Sequence, residues 1–211
     1  MSGALGKIAK GLLKSAFRLT TIGMETGFHM VRYRMYERID EIMSQIPQVG
    51  NEVLNISQSD ELVRCIGRVN LRVTRADYPN SNILALEELQ DNSFDYVVSD
   101  QVFEHIEGSP QKAMEETKRV LKPGGVAIHT SCFFNEIHAA PSDYWRFTPE
   151  GLRLLCTSWS EVVAAEGWGN RLAFCGFRYI PVPHAKWHPI HKIAVKNDPV
   201  MPISVWVVAR K

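Results

Sequence analysis

The sequence lacks the features that mark several classes of protein. Its 211 residues carry 24 Lys and Arg against 23 Asp and Glu, without the concentrated basic excess of a nucleic-acid-binding domain. No apolar run approaches the roughly 18 to 20 residues of a membrane-spanning helix, and no signal-peptide core is evident. The four cysteines include no CxxC pair, which disfavours a zinc knuckle and a disulfide framework. We therefore expect one globular domain in the cytoplasm, with no nucleic-acid partner.

The first 47 residues have the pattern of a helical N-terminal extension. Residues 5–19 place apolar side chains on one face of a helical wheel and lysines and an arginine on the other. Such a basic amphipathic helix can lie on an anionic membrane, here at its inner face, or pack against its own domain or a partner subunit. A second helix is predicted for residues 25–46. We place the domain boundary there, with residues 1–47 as the extension and residues 48–211 as the main domain.

From residue 51 onward, short apolar runs alternate with helical segments. Helices are predicted at residues 60–66 and 110–121. Because parallel strands need crossover connections, this alternation predicts a parallel, doubly wound α/β sheet, in which ligands bind at the carboxyl ends of the strands. Strands are predicted at residues 52–56, 71–77, 82–86, 94–100, 125–131 and 203–210, with residues 161–168 as the antiparallel partner of the last.

Two separated motifs carry a family resemblance. "FDYVVSDQVFEH" spans residues 94–105, and "RVLKPGG" spans residues 119–125. Both resemble class I S-adenosylmethionine-dependent methyltransferases of the type 11-like group, and the resemblance extends over about residues 53–155. It implies a Rossmann-like, seven-stranded sheet, mostly parallel with an antiparallel last strand and helices on both faces. It also implies S-adenosyl-L-methionine as the cofactor.

The resemblance assigns cofactor-binding roles to residues that follow the second and fourth strands. Asp77 takes the place of an acid that accepts two hydrogen bonds from the ribose hydroxyls, a task that suits an acceptor-only carboxylate. Tyr78 follows it, and Asn82 stands where relatives place a polar group against the adenine amine. Asp100 and Gln101 correspond to residues at the methionine portion, with Asp100 paired to its ammonium. An ordinary turn acid and a helix N-cap remain alternative interpretations of the two aspartates.

The loop after the first strand departs from the family pattern. Relatives usually have a glycine-rich turn preceded by an acid, whereas Asn55, Ser57 and Ser59 occupy those places here. Glycine is favoured where the backbone takes positive φ or touches a ligand. The methionine portion carries no pyrophosphate, however, so the demand for glycine is weaker than in dinucleotide sites. We predict a degenerate motif that still binds the cofactor; the alternative is a catalytically inactive, methyltransferase-like binding module.

The segment "HAAPSDYWRFTPEGLRLL", residues 138–155, resembles a loop and helix found after the fifth strand in some of these enzymes. We predict that Asp143, Tyr144, Trp145 and Arg146 bind the acceptor. Aromatic walls can hold a sugar ring, and an arginine can clamp an anionic group. The alternative is that these aromatic side chains pack the helix onto the sheet.

Histidines are the candidates for acid–base chemistry. His138 is the first candidate general base and His105 the second, because imidazole titrates near neutrality. The stretch "HAKWHPIHK" contains three more histidines, but Pro189 interrupts helical spacing and no carboxylate or cysteine stands at a matching distance. We therefore predict no metal site. These three histidines are His184, His188 and His191.

The sequence thus predicts an S-adenosylmethionine-dependent methyltransferase that acts on a small-molecule acceptor. The aromatic loop and the family resemblance favour O-methylation of a sugar or another polar molecule. "WGNR", residues 168–171, resembles a stretch of polysaccharide-cluster methyltransferases, which suggests a place in polysaccharide biosynthesis.

Overall fold

The computed structural model describes residues 15–16, 19–139 and 142–211. The amphipathic helix predicted for residues 5–19 lies almost entirely outside the described residues, and so does the membrane contact assigned to it. Within the described part of the chain, no helix is long and apolar enough to cross a bilayer.

A sheet of six strands forms the centre of the fold. The strands are β2 (Glu52–Ile56), β3 (Arg72–Ala76), β4 (Phe94–Asp100), β5 (Leu121–Cys132), β6 (Glu161–Trp168) and β8 (Ser204–Arg210), while β1 (Thr26–His29) and β7 (Pro181–Pro183) form a separate antiparallel pair. The order across the central sheet is β3-β2-β4-β5-β8-β6, and neighbouring strands run parallel except β8, which is antiparallel to both β5 and β6. This confirms the mostly parallel α/β sheet with an antiparallel last strand.

Five α-helices lie wholly within the described residues, together with a 3₁₀ turn and one π-helical turn. Two helices begin after a capping side chain: Ser109 and Thr148 each accept a backbone hydrogen bond from the first turn, and a proline follows each of them. The helices are α1 (Met30–Gln45), α2 (Asp60–Cys65), α3 (Pro110–Val120), α4 (Pro149–Leu155) and α5 (Pro189–Val195); the 3₁₀ turn is Phe103–His105, and the π-helical turn is Ala173–Phe177.

Both faces of the sheet are covered by helices, as predicted. Alternate strand residues point to opposite faces, and each face has its own buried cluster. Helices α1, α2 and α5 contribute to the first cluster, and α3 and α4 to the second. Adjacent residues that enter different clusters include Val53 and Leu54 on β2, Tyr96 and Val97 on β4, and Trp206 and Val207 on β8.

The predicted seventh strand is absent from the described residues. Residues 82–86 form turns that contain a single isolated bridge between Asn82 and Ala85. Ile83 and Leu86 are buried in the second cluster, and the Leu86 backbone nitrogen donates to the Glu116 carboxylate, 3.0 Å away. The alternating apolar residues that resembled a strand are therefore buried against a helix without pairing to the sheet.

The N-terminal prediction also needs one correction. The predicted helix at residues 25–46 begins only at Met30, because residues 26–29 form strand β1 against β7. Helix α1 then buries Met35, Ile39 and Met43 in the first cluster beside the sheet. The division of the chain at residue 47 stays a prediction, although α1 shares the core of the main sheet.

Candidate active site

A cleft of about 590 Å³ opens at the carboxyl ends of β2, β3 and β4. Its volume lies within the range of ligand pockets, and its position is where α/β sheets bind ligands. We call the part formed by Ser57, Gln58, Asp77 and Tyr78 the Asp77 end, and the part formed by His105, Ser142 and Tyr144 the His105 end. The other lining residues are Ser81, Asn82, Ile83, Leu84, Asp100, Gln101, Val102, Ile106 and Glu107.

The loop after β2 takes a glycine-like backbone without containing glycine. Ser57 and Gln58 have φ angles of +53° and +59°, in the left-handed region that residues other than glycine rarely adopt. The Ser57 backbone nitrogen donates to the Ala76 carbonyl oxygen at 3.1 Å. The Gln58 backbone nitrogen donates to Asp77 Oδ1 at 3.0 Å. The chain therefore keeps the sharp turn of the glycine motif, and both residues border the cleft.

Asn55 and Ser59 do not border the cleft, although the sequence predicted them as cofactor ligands. Both are buried behind the loop. The Ser59 backbone nitrogen donates to Asn55 Oδ1 at 2.7 Å, and Ser59 Oγ accepts from the Asp100 backbone nitrogen at 2.7 Å. These bonds tie β2, the loop and β4 together. Asn55 and Ser59 thus stabilise the loop from its buried side, because their side-chain oxygens accept hydrogen bonds from the backbone.

Three other predicted residues border the cleft beyond β3. Asp77 directs its carboxylate to the loop backbone of Gln58, and half-exposed Tyr78 stands beside it. Asn82 lines the cleft as well, but its Oδ1 accepts a hydrogen bond from the Leu84 backbone nitrogen at 2.9 Å. Its carbonyl oxygen therefore has a partner of its own in the turn.

Asp100 borders the cleft, but its carboxylate accepts hydrogen bonds from side chains of the protein. Oδ1 accepts from Arg32 at 2.6 Å and from Thr130 at 2.5 Å, and Oδ2 accepts from the Tyr36 hydroxyl at 2.5 Å. Burial, followed by the Asp100 charge, raises the pKa of Tyr36. Arg32 and Tyr36 were not predicted as part of the site, because only the packing of α1 onto the sheet brings them to this strand end.

Gln101 follows Asp100 with a φ of +55°. Its side-chain nitrogen donates to the Ser131 carbonyl oxygen at 2.9 Å and to Thr130 Oγ1 at 3.1 Å. This residue therefore borders the cleft while its side-chain amide is bound to β5.

The 3₁₀ turn after β4 brings an acid and a histidine to the His105 end. Glu104 is fully buried, and its Oε2 accepts from Ser131 Oγ at 2.8 Å. Its Oε1 has no hydrogen-bond partner among the described residues. Burial raises the pKa of Glu104. His105 borders the cleft, and its ring is perpendicular to that of His138 with centroids 5.0 Å apart.

His138, the first candidate base, does not border the cleft itself. Its backbone nitrogen donates to Asp143 Oδ2 at 2.8 Å. Its Nδ1 lies 3.1 Å from the Glu136 carbonyl oxygen and 3.2 Å from Asp143 Oδ2. The geometry therefore favours His105 over His138 as the group nearest to a bound acceptor.

Of the four residues predicted to bind the acceptor, Tyr144 borders the cleft. Asp143 is paired with Arg146, which holds the pKa of that carboxyl well below its usual range. The Trp145 ring nitrogen donates to the Ile106 carbonyl oxygen at 2.9 Å. Asp143, Trp145 and Arg146 therefore use their polar groups to hold the loop.

The three histidines near α5 lie elsewhere. His188 is buried and caps α5 by accepting from the Ile190 backbone nitrogen at 3.2 Å. His191 is buried too, with Nδ1 3.1 Å from the Pro183 carbonyl oxygen. His184 is exposed, and its backbone nitrogen donates to the Glu25 carbonyl oxygen at 3.1 Å.

Comparison with known proteins bears directly on this cleft. Residues 40–129 match the family model of a methyltransferase domain. No curated protein matches the chain. A structure of a SAM-dependent methyltransferase from Archaeoglobus fulgidus superposes with a TM-score of 0.56 at 14% identity, over 85% of this chain and 94% of that chain. The fold is that of class I methyltransferases.

Two further structures show how widely this fold is used. Phospholethanolamine N-methyltransferase 2 of Haemonchus contortus, solved with phosphomonomethylethanolamine and S-adenosylhomocysteine, has a TM-score of 0.53 at 15% identity, over 85% of this chain and 52% of that chain. The [4+2]-cyclase SpnF has a TM-score of 0.55 at 15% identity, over 84% of this chain and 80% of that chain. Over residues 40–129 the chain is thus similar to methyltransferase domains, and the Archaeoglobus fulgidus structure that shares its fold is of a SAM-dependent methyltransferase.

Proposed function

We propose that this protein is an S-adenosylmethionine-dependent methyltransferase that methylates a hydroxyl group of a small polar molecule, with a sugar as the acceptor class. The observation that supports this proposal is the continuity of the cleft. Asp77 and the glycine-like loop lie at one end of a single 590 Å³ space, and His105 lies at the other. One cleft can therefore take the cofactor and the acceptor side by side.

The Asp77 end fits the cofactor. Asp77 is acceptor-only when ionised, so it can take donors from ribose hydroxyls in addition to the Gln58 backbone nitrogen. The positive φ angles at Ser57 and Gln58 turn the backbone sharply at the strand end, where the methionine portion would lie. When bound, the cofactor supplies an electrophilic methyl group on sulfur.

The His105 end fits the acceptor. Methyl transfer is a direct displacement, so the protein contributes mainly alignment, exclusion of water and removal of the hydroxyl proton. His105 is the cleft residue through which that proton would be removed. The Tyr144 ring, 48% exposed, offers a flat wall for a sugar ring.

Methyl-transfer assays test this proposal directly. The full-length chain is incubated with methyl-labelled S-adenosylmethionine and a panel of sugars, sugar phosphates and other polyols. We expect label in at least one hydroxyl compound with the wild-type chain and none with Asp77→Ala. The Asp40→Ala variant, which changes an exposed carboxylate on α1, is the matched control and should keep the activity.

Two results would contradict the proposal. Binding of S-adenosylhomocysteine without transfer to any hydroxyl, amine or thiol compound would favour the catalytically inactive binding module. Transfer to amines alone would retain the enzyme but refute the hydroxyl acceptor.

We also propose, from the sequence pattern alone, that residues 5–19 bring the protein to the inner face of an anionic membrane. Removal of residues 1–20 should then abolish sedimentation with vesicles that contain phosphatidylserine. Unchanged sedimentation would contradict this role.

A further inference from the structure

We infer that Glu104, His105 and His138 form a binding site for a divalent transition-metal ion at the His105 end of the cleft. One ligand atom from each residue, a carboxylate oxygen or a ring nitrogen, lies within 4.8 Å of the other two. Bonds of 2.0 to 2.2 Å to a shared ion require ligand atoms about 3 to 3.5 Å apart. Small side-chain rotations would close that difference.

The hydrogen bonds of the two imidazoles are those of metal ligands. His105 Nδ1 faces the Ser142 carbonyl oxygen, and His138 Nδ1 faces the Glu136 carbonyl oxygen and Asp143 Oδ2. These partners are acceptors, so the tautomer with the proton on Nδ1 would satisfy them and leave Nε2 with a free lone pair. Metal-binding histidines commonly donate their second N–H to a carbonyl or carboxylate in this way.

The acceptor that faces the His138 ring is itself held in place by a further side chain. Asp143, which faces its ring, is held by Arg146, so the carboxylate is fixed in position and charge. The Asn135 amide nitrogen is 3.3 Å from His138 Nδ1, farther than either acceptor.

Glu104 supplies an independent observation. Its side chain is fully buried, and Ser131 holds one carboxylate oxygen while the other has no partner among the described residues. Leaving a buried carboxylate oxygen unpaired is costly. A cation between Glu104 and the two imidazoles would give this oxygen a partner.

The ligand types indicate the class of ion. Two imidazoles and one carboxylate are typical of zinc and ferrous sites that keep open positions, whereas magnesium and calcium prefer oxygen ligands. His105 borders the cleft, so the open positions would face the acceptor. The existence of the site is independent of the proposed function, but its role rests on it. With the ion bound, His105 would be a ligand and would not take the proton itself. The ion would bind the acceptor hydroxyl oxygen and lower its pKa, the proton would leave to water, and the oxygen would form its bond to the methyl carbon as the carbon–sulfur bond breaks.

Cobalt titration tests the site without an activity assay. The full-length chain is stripped with a chelator, dialysed and titrated with Co²⁺ while its visible absorption is recorded, and Zn²⁺ is then added in competition. We expect one equivalent of Co²⁺ to give absorption bands that Zn²⁺ removes. His105→Ala and the nearly isosteric Glu104→Gln should weaken binding by about 100-fold or more, since loss of an outer partner alone costs 10- to 100-fold.

The control is His184→Ala, which removes an exposed histidine away from the cleft and should bind like the wild type. Circular dichroism checks that each variant is folded. Equal cobalt affinity in the wild type and in Glu104→Gln, or no binding at millimolar cobalt, would overturn the inference. A metal-binding chain that transfers no methyl group would refute the proposed function while the site itself stands.

Discussion

The two ends of the cleft are built in different ways. The Asp77 end depends on backbone: two left-handed residues, one carboxylate, and a support of buried polar bonds from Asn55 and Ser59. The His105 end depends on side chains that retain bonding capacity, above all the unpaired Glu104 oxygen. Substitutions should therefore affect cofactor affinity at one end and acceptor chemistry at the other.

The largest effect is expected at the Asp77 end. Asp77→Ala removes the proposed acceptor for the ribose hydroxyls and the partner of the Gln58 backbone nitrogen, and hydrogen bonds to a charged group contribute about 1.5 to 3 kcal/mol each. We expect S-adenosylhomocysteine to bind about 100-fold more weakly, measured by calorimetry. Asp40→Ala serves as the control. An unchanged affinity in Asp77→Ala would contradict the assignment of cofactor binding to the Asp77 end.

The next largest effect is expected on stability, from loss of the ion pair between Arg32 and Asp100. Arg32→Ala leaves a largely buried carboxylate without its cationic partner, which should lower the free energy of unfolding by about 2 kcal/mol in urea titrations. Arg171→Ala, which changes an exposed arginine 3.8 Å from Asp198, should lower it by less than about 0.5 kcal/mol. Equal effects of the two substitutions would show that α1 does not hold the strand end.

A smaller effect tests the glycine-like loop. Gln58→Val places a β-branched side chain at a φ of +59° and should lower the free energy of unfolding by about 1 to 2 kcal/mol. Gln58→Gly should leave it nearly unchanged, because relief of strain offsets the greater entropy of the unfolded chain. If both variants lost stability equally in urea titrations, the left-handed conformation would not be the cause.

The smallest effect on cofactor affinity is expected from a substitution at the His105 end. Tyr144→Ala removes a ring that is 48% exposed and lies at the His105 end of the cleft. We expect the dissociation constant of S-adenosylhomocysteine to change less than about threefold in calorimetry, a difference near 0.6 kcal/mol. A tenfold loss would mean that cofactor and acceptor share this end.

The sequence predicts those parts of the fold that local pattern determines. Phe94–Asp100 is a buried apolar run between polar turns, and the structure places β4 there. Residues 82–86 have similar alternation, but their apolar side chains are buried by tertiary packing with no neighbouring strand to pair with. Periodicity alone does not distinguish these two outcomes.

The site follows the same division. Asp77 and His105 were predictable because their places relative to strand ends determine where they lie. Gln58 was missed because a left-handed conformation in a residue other than glycine leaves no trace in the sequence. Arg32 was missed because only the packing of a distant helix brings it to Asp100.

The proposed function depends on one premise, that a loop without glycine still binds the cofactor. Calorimetric titration of S-adenosylhomocysteine into the full-length chain tests it most directly, with the melting temperature recorded in parallel. We expect a one-to-one binding isotherm and a higher melting temperature with the ligand. Absence of binding heat together with an unchanged melting temperature would contradict it.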